Sequence, residues 1–282
     1  MEENVPEQSE VPVKAKKEKK PKKKSIKEEF PVHLENFQGS KQDRLQQLYQ
    51  KWHKCVRCPL NEFRMDEDGN PVDDIVFASG NPEARIVVVG EAPGEDETKH
   101  GVPFVGASGR LLNQILAAAA PDKEMQDLAK WYSKVSHTAA NSNKFHEMVF
   151  EWRDKNFFFT NIVGCRPPEN RTPIPTEIAP CNERLANILY IVDPLVVVAV
   201  GKTAAEALTG KKIEIRMKRG ELFDSYVQGR VTQVAYPTIL ALHPSYLLRV
   251  ADWGTPGGEY DKTLDDFSRV FKIRDFMLEK SR

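Results

Sequence analysis

The chain has 282 residues, 40% of them hydrophobic, with acidic and basic groups in equal number, so its formal net charge is zero. That length can bury a substantial core, and one globular domain with a tail is the simplest organisation. No apolar run approaches the ~20 residues that cross a bilayer, and the first residues lack an apolar signal segment. The expectation is a soluble, intracellular protein of a reducing compartment, cytoplasmic or nucleoid-associated, and the secreted and membrane-spanning classes drop out.

The neutral total hides an uneven distribution. Residues 14–27 hold nine lysines against one glutamate. A segment that repels itself and has little to bury should be disordered, and residues 1–38 read as a lysine-rich tail ahead of a domain at 39–282. Such a tail either raises nonspecific affinity for a nucleic-acid backbone or only solubilises the protein.

After the tail, residues 41–52 read as a short amphipathic helix that leads into Cys55. Residues 61–82 are polar and rich in turn formers, which predicts a surface excursion. The β-branched run 86–89 then ends at Gly90-Glu91-Ala92-Pro93-Gly94, the pattern of a buried parallel strand followed by a tight loop. Ser108 is placed to cap a helix through Ala120. Residues 121–156 read as an inserted helical element, with His137 and His146 on its surface. Strands are expected at 157–160, 195–200 and 238–242. Helices are expected at 177–192, with Pro180 in its first turn, and at 203–209 and 263–279. Alternating strands and helices predict a three-layer α/β/α sandwich around a mostly parallel four-stranded sheet. Ligands of such sheets sit beyond the carboxyl ends of the strands, where Glu91, Asn161 and His243 all fall.

Four cysteines stand as Cys55-x2-Cys58 and Cys165-x15-Cys181. A close pair and two distant partners can complete a thiolate set for zinc or an iron–sulfur cluster, and spacing alone does not choose between them. A redox CxxC pair beside two buried cysteines, or two disulfides, would use the same residues. Gly201-Lys202-Thr203 invites a nucleotide-binding reading but lacks the upstream glycine of a phosphate-binding loop.

Taken together, CVRCPL at 55–60, VVVGEAPGEDE at 87–97, GVPFVGASGRLL at 101–112, TNIVGCRPPENRTP at 160–173, the Cys181 helix and HPSYLLR at 243–249 resemble the family 4 uracil-DNA glycosylases, the iron–sulfur, thermostable type. The resemblance implies an enzyme that flips uracil out of single- or double-stranded DNA, hydrolyses its N-glycosidic bond and leaves an abasic site. It implies a [4Fe-4S] cluster on Cys55, Cys58, Cys165 and Cys181. Phe104 would stack on the base, and Asn161 would accept from uracil N3–H and donate to O4. His243 would donate toward O2, where negative charge develops. Glu91 would position water or stabilise cationic sugar, with Ala92 and Gly94 lining the loop. Glu97 would exclude the thymine methyl, and Arg166, Arg171, Ser245 and Arg249 would meet DNA phosphates. A monomer suffices for one pocket. Departures are Gly164, where many relatives carry lysine, the 121–156 insertion and the lysine tail. The alternative is an iron–sulfur protein that binds or traps uracil-DNA without turnover. The covalent relatives replace alanine in GEAPG with glutamine, so Ala92 speaks against it.

Overall fold

The computed structural model describes residues 32–64, 70, 74–228, 233–250 and 255–280. The lysine run lies outside them, as does most of 65–73 within the expected surface excursion. Residues 32–38, assigned to the tail from sequence, pack against the domain instead. Val32, Leu34 and Phe37 pack on its core, and Asn187 accepts from the Glu35 amide while donating to the His33 carbonyl. Three apolar side chains in six residues give this stretch something to bury, which the lysine run lacks.

Helix α1 (Lys41–Trp52) starts at a Ser40–Asp43 capping box and buries Leu45, Leu48 and Trp52. Strand β1 (Ser79–Gly80) is followed by β2 (Ile86–Gly90), α2 (Glu95–His100), α3 (Ala107–Ala119), α4 (Lys123–Tyr132), α5 (Ala139–Asn156) and β3 (Phe157–Asn161). The second half holds α6 (Pro175–Val192), β4 (Val196–Val200), α7 (Lys202–Thr209), α8 (Ile215–Lys218), β5 (Leu222–Gln228), β6 (Gln233–Ala241), α9 (Pro244–Leu247) and α10 (Glu259–Lys280).

The sheet has six strands in the order β1-β3-β2-β4-β6-β5, not four. The four expected strands are its parallel centre, and antiparallel β1 and β5 are added at the edges. Both edges lack the compact apolar run that marks a strand buried on both faces: β1 has two residues, and β5 interleaves polar ones. The expected surface excursion also ends in the core. Ile75, Val76 and Phe77 are buried, and Val76 donates to the Gly164 carbonyl.

Strand side chains alternate between two cores, which makes the three layers. Val87, Val89, Phe158 and Val197 face α1, α6 and α7. Ile86, Val88, Phe157, Phe159 and Val198 face α3, α4, α5 and α10. Each such side chain contributes about 1.5–3 kcal/mol relative to exposure. Helix α3 begins at Ala107 with Gly106 as its cap, so Ser108 lies inside it. Helix α6 begins at Pro175, which moves Pro180 beyond the first turn into the helix. The 121–156 segment is helical as expected and packs on α3. His137 is exposed, but His146 is half-buried, and burial lowers its pKa to about 4.

A buried guanidinium ties β3 to its surroundings. Fully buried Arg184 of α6 donates to the carbonyls of Phe77 (3.1 Å), Asn161 (2.5 Å) and Ile162 (3.3 Å) and to Thr160 Oγ1 (3.1 Å). Arg184→Met should leave these buried acceptors short of donors and lower the unfolding free energy by about 2–4 kcal/mol. An unchanged urea midpoint would contradict this.

Candidate active site

The parallel register sets Gly90, the last residue of β2, beside Asn161, the last of β3. The chain returns over β2 to form β4, so Gly90 sits where the strand order reverses, the usual ligand crevice of an open α/β sheet. A Cβ on Gly90 would lie 2.3 Å from Asn161 Oδ1 and 2.6 Å from Phe104 Cζ. Both side chains therefore converge on the space that the missing side chain leaves. Asn161 is 3% exposed, and its side-chain amide has no hydrogen-bond partner among the described residues. It is thus available to read a ligand.

Phe104 is buried and holds a left-handed backbone, φ 58°. For an aromatic residue this conformation costs on the order of 1–3 kcal/mol and persists only where its surroundings fix it. Glu97, at the third position of α2, fixes one side of the loop. Its carboxylate accepts from the amides of Gly94 (3.0 Å), Val105 (3.0 Å) and Gly106 (2.8 Å), which joins the Gly90–Gly94 loop to the Phe104 loop. Arg153 of α5 holds the other side by donating to the carbonyls of Phe104 and Pro103. Glu91 and Ala92 are half-buried at the start of the Gly90–Gly94 loop.

His243 follows β6 and caps α9. A Cβ on Gly201, just past β4, would lie 3.1 Å from its Cβ, so His243 leans over the end of β4, the strand next to β2. Its Nδ1 accepts from the Ser245 amide at 3.1 Å, with Ser245 Oγ 2.7 Å away. That leaves the proton on Nε2. Burial, and then the positive charge of Arg249, lower its pKa from 6.5 to about 4. The ring is therefore a neutral donor at neutral pH. Gly201 itself (φ +93°) caps α7, and Lys202 approaches Glu214 at 4.0 Å.

The expected phosphate contacts are differently placed. Arg171 makes a two-armed pair with buried Glu177 (2.8 and 2.6 Å). Arg166 donates to Asn170 Oδ1 (2.8 Å) and Glu95 (3.2 Å). Ser245 is occupied with His243, and Arg249 is exposed beside exposed Leu248.

Cys55 and Cys58 are half-buried, Cys165 and Cys181 are buried, and all four are free thiols. Burial raises the pKa of Cys58 to about 11 and of Cys165 to about 12; Cys181 and Cys55 add to both shifts, and Cys58 adds to that of Cys165. The four are therefore neighbours in space. No three His, Cys, Asp or Glu side chains among the described residues are gathered as a single metal ion requires. Burial raises the Cys55 pKa as well, and Arg64, 6% exposed beside the thiols, partly opposes that rise at Cys55 and Cys165 with its positive charge. Its Nε and Nη1 are buried without a hydrogen-bond partner among the described residues. Sequence reading missed Arg64, Arg153 and Arg184, since an arginine in a polar or amphipathic stretch reads as surface.

The model of the uracil DNA glycosylase superfamily matches residues 77–270. The chain is 35% identical over 197 residues to a type-4 uracil-DNA glycosylase of Thermotoga maritima, spanning 70% of this chain and 79% of that one. It is 30% identical over 226 residues to a type-4 uracil-DNA glycosylase of Pyrobaculum aerophilum, spanning 79% and 92%. A type-5 uracil-DNA glycosylase of Thermus thermophilus matches over a shorter 133 residues at 32% identity, spanning 46% and 51%. The superfamily match covers most of the sheet that carries Gly90, Asn161 and His243, and the type-4 matches run over more than two thirds of the chain. This chain belongs to the uracil DNA glycosylase superfamily and, within it, to the type-4 uracil-DNA glycosylases.

Proposed function

We propose that this chain excises uracil from DNA by hydrolysing its N-glycosidic bond, leaving an abasic site for base excision repair. The observation that carries the reading is the convergence of Asn161 and Phe104 on the side-chain-free Gly90, in a chain of this family. A glycosidic bond inside the stack is inaccessible, so the base must be turned out into a pocket. Phe104 offers it an aromatic face. The Asn161 amide can accept from N3–H and donate to O4, a pattern that cytosine does not match.

As the bond breaks, the uracil ring becomes anionic and the sugar cationic. His243 Nε2–H, directed at O2, stabilises that anion more than the neutral substrate, with no proton transfer required. A neutral ring with its proton fixed by Ser245 suits this role better than an imidazolium, which would hold its proton loosely beside an anion. Glu91 would orient water or steady the cationic sugar. Exposed Leu248 provides an apolar wedge for the gap that the base leaves, with Arg249 beside it for phosphate. Arg166 can reach phosphate by exchanging its exposed partner Glu95 for it.

Cys55, Cys58, Cys165 and Cys181 would hold a [4Fe-4S] cluster. Their electrostatic influence on one another supports it, as do the Arg64 N–H groups without a partner among the described residues, which suit the sulfurs of a cluster. Such a cluster would contribute a structural tie between the segment after α1 and the loop after β3. An intracellular setting, where thiols stay reduced, is part of the same proposal.

The deciding experiment is single-turnover release of free uracil from matched single-stranded and duplex oligonucleotides by the holoprotein, with thymine and cytosine controls. Uracil release with both controls spared is expected, and binding without release would reject turnover. Gly90→Ala should abolish release and also lower stability by about 1–3 kcal/mol, because the added methyl meets Asn161 and Phe104. His243→Ala should slow the chemical step roughly 100- to 1,000-fold at saturating enzyme. The wild-type rate should stay level between about pH 6 and 8, since His243 remains neutral there. In acid, the unfolded chain protonates His243 from 6.5 downward while the folded chain resists until about 4. Stability should therefore fall across that window, and His243→Asn should flatten the fall in thermal melts. Iron and acid-labile sulfide should be present in equal amounts at [4Fe-4S] stoichiometry, and stoichiometric zinc in their place would reject the cluster.

A further inference from the structure

The loop carrying Phe104 is gripped from both sides by oppositely charged groups. Glu97 accepts from the amides of Val105 and Gly106. Opposite it, Arg153 Nη1 donates to the Phe104 carbonyl (2.8 Å) and to Asn113 Oδ1 (3.0 Å), and Nη2 donates to the Pro103 carbonyl (3.3 Å). Gly109 completes the fit, because a Cβ there would come within 2.1 Å of the same Phe104 oxygen.

Arg153 is fully buried, with its guanidinium over the rings of Phe150 (4.1 Å) and Phe159 (4.5 Å). The Phe159 ring lies 5.8 Å from that of Phe104. Burial lowers the Arg153 pKa to about 10, still charged at neutral pH. Its nearest carboxylate, Asp154, stands 3.6 Å from Nε without a hydrogen bond to it. Taking a guanidinium out of water is costly, and an apolar side chain of similar size would often fill such a site at no loss of stability. What an apolar side chain would not do is hold two successive carbonyls and so fix the left-handed turn at Phe104. Arg153 comes from α5, in the 121–156 segment that the sequence reading took as an insertion.

We propose that Arg153 is a positioning residue for base recognition: by holding the Pro103 and Phe104 carbonyls it fixes the Phe104 ring in the orientation that stacks on the expelled base. This rests on reading Phe104 as the base-stacking ring. Arg153 acts through Phe104, so its removal matters only while that ring is present.

The test is a double-mutant cycle on full-length holoprotein with Arg153→Met, Phe104→Ala and the double variant. Two readouts are taken: the inhibition constant of free uracil, and the half-saturating enzyme concentration and maximal rate in single-turnover excision. Arg153→Met should weaken inhibition by free uracil about 10- to 100-fold. The double variant should be no worse than Phe104→Ala alone, and Arg153→Lys should recover part of the loss through its single remaining donor head. A purely structural role predicts lower melting temperatures with an unchanged uracil constant in the folded fraction. That result, or penalties that multiply in the double variant, would overturn the proposal. If Arg153→Met does not fold, the same cycle with Arg153→Lys decides it by the same criteria. A wild type that neither releases nor binds uracil would sink the functional reading itself, whereas an active wild type with an indifferent Arg153 would sink the positioning role alone.

Discussion

The absence of a side chain at Gly90 is the constraint on which the pocket depends, because Asn161 Oδ1 and the Phe104 ring both occupy ground that any Cβ there would need. The backbone conformation of Gly90 is not what calls for glycine; space is. Strand register explains the crowding. In-register parallel pairing sets Gly90 against Asn161, and the reversal of strand order at β2 opens the crevice above them. A hydrophobic sheet thus creates a polar recognition point at its edge, where the last buried residue is an asparagine whose amide has no partner among the described residues.

Buried charge keeps that point rigid. Arg184 gathers carbonyls of the strand that ends in Asn161, together with the incoming 74–79 segment. Arg153 and Glu97 grip opposite sides of the Phe104 loop. In each case the hydrogen bonds that the charged group makes go mainly to backbone atoms and not to a full ion pair. Charged hydrogen bonds are stronger than neutral ones, which suits them to holding strained or irregular backbone. Desolvation acts in the other direction on His243, where burial and Arg249 keep the ring neutral and Ser245 fixes which nitrogen bears the proton. The loops that would meet DNA are instead held by exposed or half-exposed ion pairs, such as Arg166 with Glu95, which a phosphate can displace at small cost.

The parallel centre of the sheet and most helices were legible in the sequence because continuous β-branched runs and 3.6-residue periodicity report burial directly. The edges were not. β1 is two residues long, and the polar β5 takes its place by pairing with β6, a relation between segments that no local pattern encodes. The same holds for Ile75 to Phe77, which polar, turn-rich neighbours disguise, and for residues 32–38, whose burial depends on the face that α6 presents to them.

By itself the sequence determined the chemistry available: a glycine-rich loop after a buried strand, an asparagine and a histidine at strand ends, four cysteines, and motifs that together single out the family. Tertiary structure alone decided which of these groups meet. It set Asn161 and Phe104 against Gly90, engaged Glu97 with three backbone amides, and paired Arg171 with Glu177. It also brought Arg64, Arg153 and Arg184 into the interior. The reason is physical: side-chain type and local periodicity are properties of short stretches. The partner that makes a buried charge tolerable comes from a distant part of the chain and exists only once the layers have packed.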